Sequence, residues 1–251
     1  MPDKNHIGFP FIILQSVDST NNYATAMAHA GMTQHGTVIF TYEQTRGKGQ
    51  RSKDWLTNKN ENITLSIIIK PENGLVPNFV FSMAMALGAM HFFNKHAAND
   101  VTIKWPNDIY WRDRKAGGIL IENIFSGTTW KYSIVGIGLN INQADFGELG
   151  AKAVSLKQIT GKEYDVLQMA EDLCKCVNEY YGLLLKKPQD IIDQYHQHLY
   201  KLNQPVRLKK ENRLFNVIIK GVNAKGQLIT QHAIEEPFDV GEVEWVINNE
   251  G

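Results

Sequence analysis

The chain has 251 residues, 26 Lys and Arg against 26 Asp and Glu, and 43% hydrophobic residues. A core of this size needs no disulfide or metal staple, and zero net charge supplies no global pull toward nucleic acid or an anionic membrane, leaving room only for a local basic patch. Cys174 and Cys176 share one segment, which excludes a disulfide scaffold and fits a reducing, cytoplasmic setting; no apolar run approaches roughly 18 residues and the N-terminal MPDKNHIGFPFIIL lacks a leader pattern, so neither a membrane span nor a signal peptide is expected.

The hydrophobic periods predict a strand over 11–17 and then a helix from about Thr20 to Ala30. Asp18, Ser19 and Thr20 are candidate caps for that helix, and Gly31 stops it. Strands follow at 36–44 and 62–70, the latter rich in β-branched residues, with a polar loop at 45–54 and a mostly apolar helix at 77–96. VTIKW (101–105) reads as a short strand closed by Pro106. IYW, a polar turn at 112–114 and AGGILIENIF read as a hairpin, and 131–142 as another buried strand. Helices are expected at 165–186 and 188–201. After Asn203-Gln204-Pro205 only strand patterns remain: PVRLKK, FNVIIKGVN, GQLITQHA and EVEWVI. About 45 residues of short strands point to a small barrel or sandwich appended to an α/β body, with a boundary near 203.

Four segments carry chemistry. In the loop from Gln44 to Trp55, Arg46, Lys48, Arg51 and Lys53 alternate with Gly47 and Gly49. Glycine lets backbone approach a ligand closely, adjacent N–H groups can face an anion, and Trp55 can pack over a planar ligand. The spacing is not that of a phosphate loop; a solvated basic turn is the competing reading. The second segment is Lys104-Trp105-Pro106-Asn107-Asp108 with Lys115-Ala116-Gly117-Gly118-Ile119-Leu120-Ile121-Glu122, where two glycines inside a strand mark a close approach. Here the bland alternative is an ordinary hairpin, with Asp108 as a turn former. Third is Gly136-Ile137-Gly138-Leu139-Asn140, a glycine pair that lacks the remainder of a dinucleotide fingerprint. Asp18 to Asn21 is the fourth, for which helix capping is the default explanation. Cys174 and Cys176, like His196 and His198, sit two apart and share no helix face, and no HExxH or paired CxxC occurs, so no resident metal ligands are assigned. Nor is there a Gly-x-Ser-x-Gly elbow.

Taken in this order, Ser19-Thr20-Asn21, the Gln44–Trp55 loop, KWPND with KAGGILIE, and GIGLN resemble the biotin protein ligase family over 18–142, and more loosely to the C-terminus. The resemblance implies an α+β fold: a mixed-sheet catalytic domain like that of class II aminoacyl-tRNA synthetases over 1–202, and a small SH3-like β-barrel over 203–251. It implies ATP and biotin as substrates with Mg2+, a biotinyl-AMP intermediate, and the lysine of a biotin carboxyl carrier domain as acceptor. By the resemblance, biotin contacts fall on Ser19, Thr20, Asn21, Gln44, Lys48, Gly49, Gln50 and Lys115, with Gly117, Gly118 and Ile119 beside the ring. Adenylate contacts fall on Arg51, Trp55, Asn107 and Asn140, and Lys115, Asp108 and Arg51 take the catalytic roles. Lys48 and Gln50 stand where the family commonly has arginine, and Ser52 where it has glycine, so a bidentate arginine fork is missing there.

Only 18 residues precede Ser19, so no DNA-binding domain and no DNA partner are expected. A homodimer stays open as an assembly. The rival readings are a lipoate-type acyl-protein ligase, whose Arg-Arg and His-Asp motifs are not found, and a non-catalytic biotin-binding module. Retention of both Lys115 and Asp108 argues against the latter. Within the hairpin, Lys115 is expected at the reacting carboxylate and Lys104 at the periphery.

Overall fold

The computed structural model describes residues 6–71 and 79–246. The first two residues of the helix expected over 77–96, and the last of the EVEWVI strand, lie outside them. The larger sheet has seven strands: β1 (Phe11–Leu14), β2 (Thr37–Thr41), β3 (Asn62–Ile69), β4 (Val101–Lys104), β5 (Asp108–Trp111), β6 (Arg114–Ser126) and β7 (Thr129–Asn140). Their spatial order is β1-β2-β3-β7-β6-β5-β4. Only β1 and β2 run parallel, so the sheet is mixed.

The sequences of β2 and β3, TVIFT and NITLSIII, are buried at every position. Such runs need cover on both faces. On one face lie α2 (Phe79–Ala97) and α4 (Val166–Lys186); on the other, α1 (Thr20–His29) sets Ala24 and Ala28 against Ile39, Ile68 and Ile134. Helix α2 is apolar almost all round because α4 and the sheet enclose it, whereas α4 is two-faced and starts at Asp165, whose carboxylate accepts from the N–H groups of Leu167 and Gln168. The helices touch at Gly88, where a β-carbon would stand 2.8 Å from the Cα of Val177.

Several elements differ from the sequence expectation: β1 ends at Leu14 and β2 at Thr41, short of the expected 17 and 44. Helix α5 (Pro188–Gln197) stops before 201, because the chain turns at His198 and Leu199 pairs as an isolated bridge with Ile103 of the edge strand β4. A five-residue helix, α3 (Leu156–Thr160), is held by a Ser155–Gln158 capping box and is too short to show an apolar period. Between Ile109 and Tyr110 the β5–β6 register shifts: Ile109 faces Gly117 and Tyr110 faces Lys115, leaving Ala116 as an extra residue. A bulge of this kind reverses side-chain parity. It puts Lys115 on the same face as Gly118 and Asp108.

All strands after Gln204 form a second, antiparallel sheet. It comprises β8 (Pro205–Lys210), β9 (Arg213–Val222), β10 (Leu228–Gln231), β11 (Glu235–Phe238) and β12 (Glu244–Val246), in the order β11-β10-β9-β8-β12. Strand β11 is polar and contains Pro237, which suits an edge and conceals it from periodicity. No β11–β12 pairing is seen among the described residues, so the expected closed barrel is present as a five-stranded sheet. This sheet is fastened to the larger body by Trp105, whose indole N–H donates to the Gly226 carbonyl at 2.9 Å, and by Phe79, whose ring fills the space a side chain at 226 would need.

Gly88→Ala is expected to destabilise the fold by about 1–3 kcal/mol, the usual cost of overpacking, despite the helix-propensity gain of about 1 kcal/mol. Denaturant unfolding of the variant checks this; equal or higher stability would show that the α2–α4 contact yields freely.

Candidate active site

A cavity of about 600 Å³ opens between the larger sheet, the 44–55 loop and the second sheet. Its neutral end begins at the start of α1. Ser19 is the N-cap residue, yet its side chain makes no capping bond. The capping explanation therefore fails for Ser19, which lines the cavity. Asp18 instead accepts from the Asn22 amide at 2.5 Å, a bond that holds its carboxyl below the usual range. Thr20 donates its backbone N–H to Gln44 Oε1 at 2.8 Å, and its hydroxyl lies 3.1 Å from the same oxygen. The Asn21 amide projects over Gly136, where a β-carbon would stand 2.4 Å from Asn21 Oδ1.

Along the wall, Gly138 does the same service for Trp55: a β-carbon there would stand 2.5 Å from the indole ring. The Gly-x-Gly of β7 is thus a packing requirement, one glycine under an amide and the other under an aromatic ring. The loop that carries Trp55 folds back on itself. Lys48 and Asp54 pair as a bridge, Gly49 N–H donates to the Lys53 carbonyl at 2.7 Å, and Trp55 N–H donates to the Gly47 carbonyl at 2.9 Å. A single 3-10 turn, Gln50–Ser52, sits at the tip, with Arg51 in the left-handed region at φ 55°. The Arg51 side chain reaches the second sheet's turn and occupies the space a β-carbon on Gly241 would take.

At the charged end, Lys115 Nζ stands 2.6 Å from Asp108 Oδ1, both side chains part-exposed to the cavity. Gly118 makes room: its β-carbon would lie 3.3 Å from that carboxylate oxygen. The Lys115 ammonium also lies 5.7 Å from the Trp55 ring centre. Lys104, expected at the periphery, lines the same cavity, since β4 and β5 pair Lys104 directly with Asp108. Its ammonium lies 4.9 Å from the Tyr110 ring centre and 5.5 Å from that of Trp245. Burial pulls its pKa down to about 8, against the pull of Asp108 in the other direction. Burial also pushes the Tyr110 hydroxyl well up, with Asp108 adding to the effect.

Of the residues singled out from sequence, Ser19, Thr20, Asn21, Gln44, Lys48, Gly49, Gln50, Arg51, Trp55, Asn107, Asp108, Lys115, Gly118 and Ile119 all line this one cavity. Lys48 is already engaged, donating to Asn22 Oδ1 at 2.6 Å. Asn107 ties the turn to β6 by donating to the Ile119 carbonyl and accepting from the Ile119 N–H. Two residues are not among those lining it. Gly117 faces the other side of the sheet, against Leu139. Asn140 is buried, its amide donating to the Val154 carbonyl at 3.1 Å and lying 3.4 Å from that of Lys115, so it braces the segment that carries Lys115. Sequence reasoning missed Gly241, Val243, Glu244 and Trp245 of the second sheet, which line the cavity, and Ser66, the one hydroxyl within the apolar run of β3 beyond Thr64, which lies buried outside its lining. Ser66 was detectable as a polar interruption at an otherwise apolar position; the second-sheet residues carried no local signal.

Lys104 has a folded-state pKa below its unfolded value, so its burial penalty is fully present below about pH 8 and is relieved as pH rises toward 10.5. Wild-type stability should therefore gain from this group between those values. In Lys104→Met that gain should vanish and stability at pH 7 should rise. Parallel stability–pH curves for the two proteins would contradict the burial of this ammonium.

Residues 13–140 match the family model described as the biotin/lipoate A/B protein ligase family. Among curated proteins, the chain is 28% identical over 237 residues to the bifunctional ligase/repressor BirA of Escherichia coli, covering 92% of this chain and 72% of that protein. It is 27% identical over 229 residues to the biotin–[acetyl-CoA-carboxylase] ligase of Paracoccus denitrificans, covering 86% and 92%. It spans about half the length of the Bacillus ligase/repressors it also matches. The solved biotin protein ligase of Aquifex aeolicus in complex with biotin and ATP superposes with a TM-score of 0.78 at 24% identity over 94% of this chain and 98% of that one, a likeness of fold. With the family model covering residues 13–140, and with them all four chemistry-bearing segments, the chain belongs to the biotin/lipoate A/B protein ligase family.

Proposed function

We propose that this protein joins biotin to a lysine of a carrier domain of a biotin-dependent carboxylase, using ATP and passing through biotinyl-AMP. The observation that carries the reading is the division of one cavity into a neutral hydrogen-bonding end at Ser19, Thr20, Asn21 and Gln44 and a charged end at Lys115, Asp108, Lys104 and Arg51, with the Trp55 ring between them. A ureido group is neutral and offers two N–H donors and a carbonyl acceptor, which hydroxyls and amides can meet without a charge mismatch. Ser19, Thr20, Asn21, Gln44 and Gln50 would hold that end, with Gly118 and Ile119 beside the ring. Arg51, Trp55 and Asn107 would hold the adenylate. Gly117 and Asn140, one packed on the far face and the other bracing the Lys115 segment, support the site from outside the cavity.

In the first step the biotin carboxylate attacks the α-phosphorus of ATP and pyrophosphate leaves. Two unit negative charges brought to 4 Å at an effective dielectric near 20 cost about 4 kcal/mol, so fixed cations must converge there. Lys115 and Arg51 supply them, with Lys104 close behind. Magnesium is assigned to the incoming nucleotide as part of that substrate. No group of three or more carboxylate, histidine or cysteine side chains fit for a metal occurs among the described residues, and no step is routed through the ion. In the second step a lysine amine attacks the mixed anhydride and AMP leaves. Deprotonating that lysine at pH 7 costs about 4–5 kcal/mol. Asp108, paired with the Lys115 ammonium, would orient the amine and accept its proton. The residues after 203, read as an SH3-like domain, would close the nucleotide end through Gly241 and Trp245.

Pyrophosphate and AMP release with ATP and biotin, against the same assay with lipoate, tests the reading; turnover with lipoate alone would replace biotin by a lipoyl substrate. Lys115→Gln should slow adenylate formation by about 10² or more, as loss of an oxyanion donor does. Asp108→Asn should bind biotin nearly as wild type but transfer from preformed biotinyl-AMP about 10²–10⁴ more slowly, with partial recovery at higher pH. Unchanged single-turnover transfer would return Asp108 to a turn-forming role.

A further inference from the structure

Behind Thr20, Asn21 and Gln44 lie two groups that do not line the cavity: Ser66 on β3, fully buried, and Glu122 on β6. Asn21 Nδ2 donates to Glu122 Oε2 at 2.6 Å and faces the Leu120 carbonyl at 3.5 Å. Both neighbours on that side are acceptors. A flipped amide would put Asn21 Oδ1 against a carboxylate and a carbonyl, so the orientation is forced and Oδ1 must point the other way. There it meets Ser66 Oγ at 2.6 Å, and Ser66 Oγ in turn stands 2.7 Å from Thr20 Oγ1.

Proton counting then fixes Thr20. Asn21 Oδ1 is an acceptor only. If Ser66 donates to it, Thr20 must donate its hydroxyl proton to Ser66. If Ser66 donates to Thr20 instead, Asn21 Oδ1 is left facing the Ser66 oxygen with no proton between them, and the Thr20 proton can turn either to Gln44 Oε1, 3.1 Å away, or to the cavity. In the first arrangement the Thr20 proton is consumed inside the protein and only lone pairs remain for the cavity. The first also satisfies buried Asn21 Oδ1, as buried polar groups require.

We propose that Ser66 and Glu122 are positioning residues that hold the Thr20 hydroxyl as a hydrogen-bond acceptor toward the cavity, so that this end of the site selects a ligand presenting an N–H, as a cyclic urea does, over an isostere presenting an oxygen. The proposal rests on the reading of the cavity as a biotin site and deepens it. Gly136 belongs to the same device: any side chain there would displace the Asn21 amide that links Glu122 to Ser66.

The test compares biotin with the two ring-oxygen analogues in which one ureido N–H is replaced by O, by ATP-dependent pyrophosphate release and by calorimetric binding. Wild type should prefer biotin over the more strongly rejected isomer by about 10² or more. In Ser66→Ala that preference should fall on the order of tenfold, because the freed Thr20 proton can turn to the ring oxygen, while KM for ATP stays unchanged. Glu122→Gln, whose amide no longer dictates the Asn21 orientation, should shift the preference in the same direction and serves if Ser66→Ala folds poorly. Ser66→Cys, with a weaker donor and acceptor, should lie between alanine and wild type. An unchanged preference in the Ser66 and Glu122 variants, with biotin and ATP affinities falling together, would reduce both residues to scaffold and overturn the proposal. Absence of any biotin-dependent pyrophosphate release by wild type would instead overturn the reading of the site itself.

Discussion

One extra residue in a hairpin governs the charged half of this site. Without the bulge at Ala116, the strict alternation of β6 would place Lys115 with Gly117, on the face packed against Leu139. A lysine there would bury its ammonium in the core or tear the sheet open. The bulge returns it to the face of Asp108 and Gly118, where the ion pair forms beside the Trp55 ring. The flanking residues then make sense as supports for that single reversal. Asn140 and the 152–154 segment hold the Lys115 backbone from one side, Lys115 N–H donating to the Lys152 carbonyl at 2.7 Å and Val154 N–H to the Lys115 carbonyl at 2.9 Å. Asn107 clamps the other end of the hairpin to Ile119.

The glycines of the site divide by what they admit. Gly136 admits an amide, Gly138 an indole, Gly118 an ion pair, and Gly241 a guanidinium. Each is a place where the protein's own functional group needs the room, so the cavity is walled by contacts already made. The neutral end is fixed by shared protons, the charged end by an ion pair, and the Trp55 ring between them by van der Waals contact on bare backbone.

Much of this was legible in the sequence because the signals were local. Runs such as TVIFT and NITLSIII can only be doubly covered strands, and Gly-Gly or Gly-x-Gly inside an apolar strand points to a close approach. The KWPND and KAGGILIE segments mark Asp108 and Lys115 as partners, and the two side chains meet at 2.6 Å. What stayed hidden depended on register or on distant packing. The bulge at Ala116 changes the facing of Lys115 without changing composition, and the pairing of Lys104 with Asp108 across β4 and β5 follows from it being a neighbour in space as much as in sequence. Asn140 looked like a ligand contact because an asparagine after Gly-x-Gly has the right chemistry, yet its amide is spent on the Val154 carbonyl. Trp245 joins the cavity from more than a hundred residues downstream, and a strand as short as β12 gives no hint of where its face will rest.

That last wall divides the site by position along the chain. Strands β1 to β7 and the helices that cover them are complete by Gln197, yet the core they build is continuous with Leu208, Val217, Ile219 and Phe238 of the second sheet. The cavity reaches its final outline only once Gly241, Glu244 and Trp245 have been added and the second sheet has docked at Trp105 and Phe79. The neutral end is thus built wholly from residues before 143, while the charged end borrows part of its wall from residues after 240.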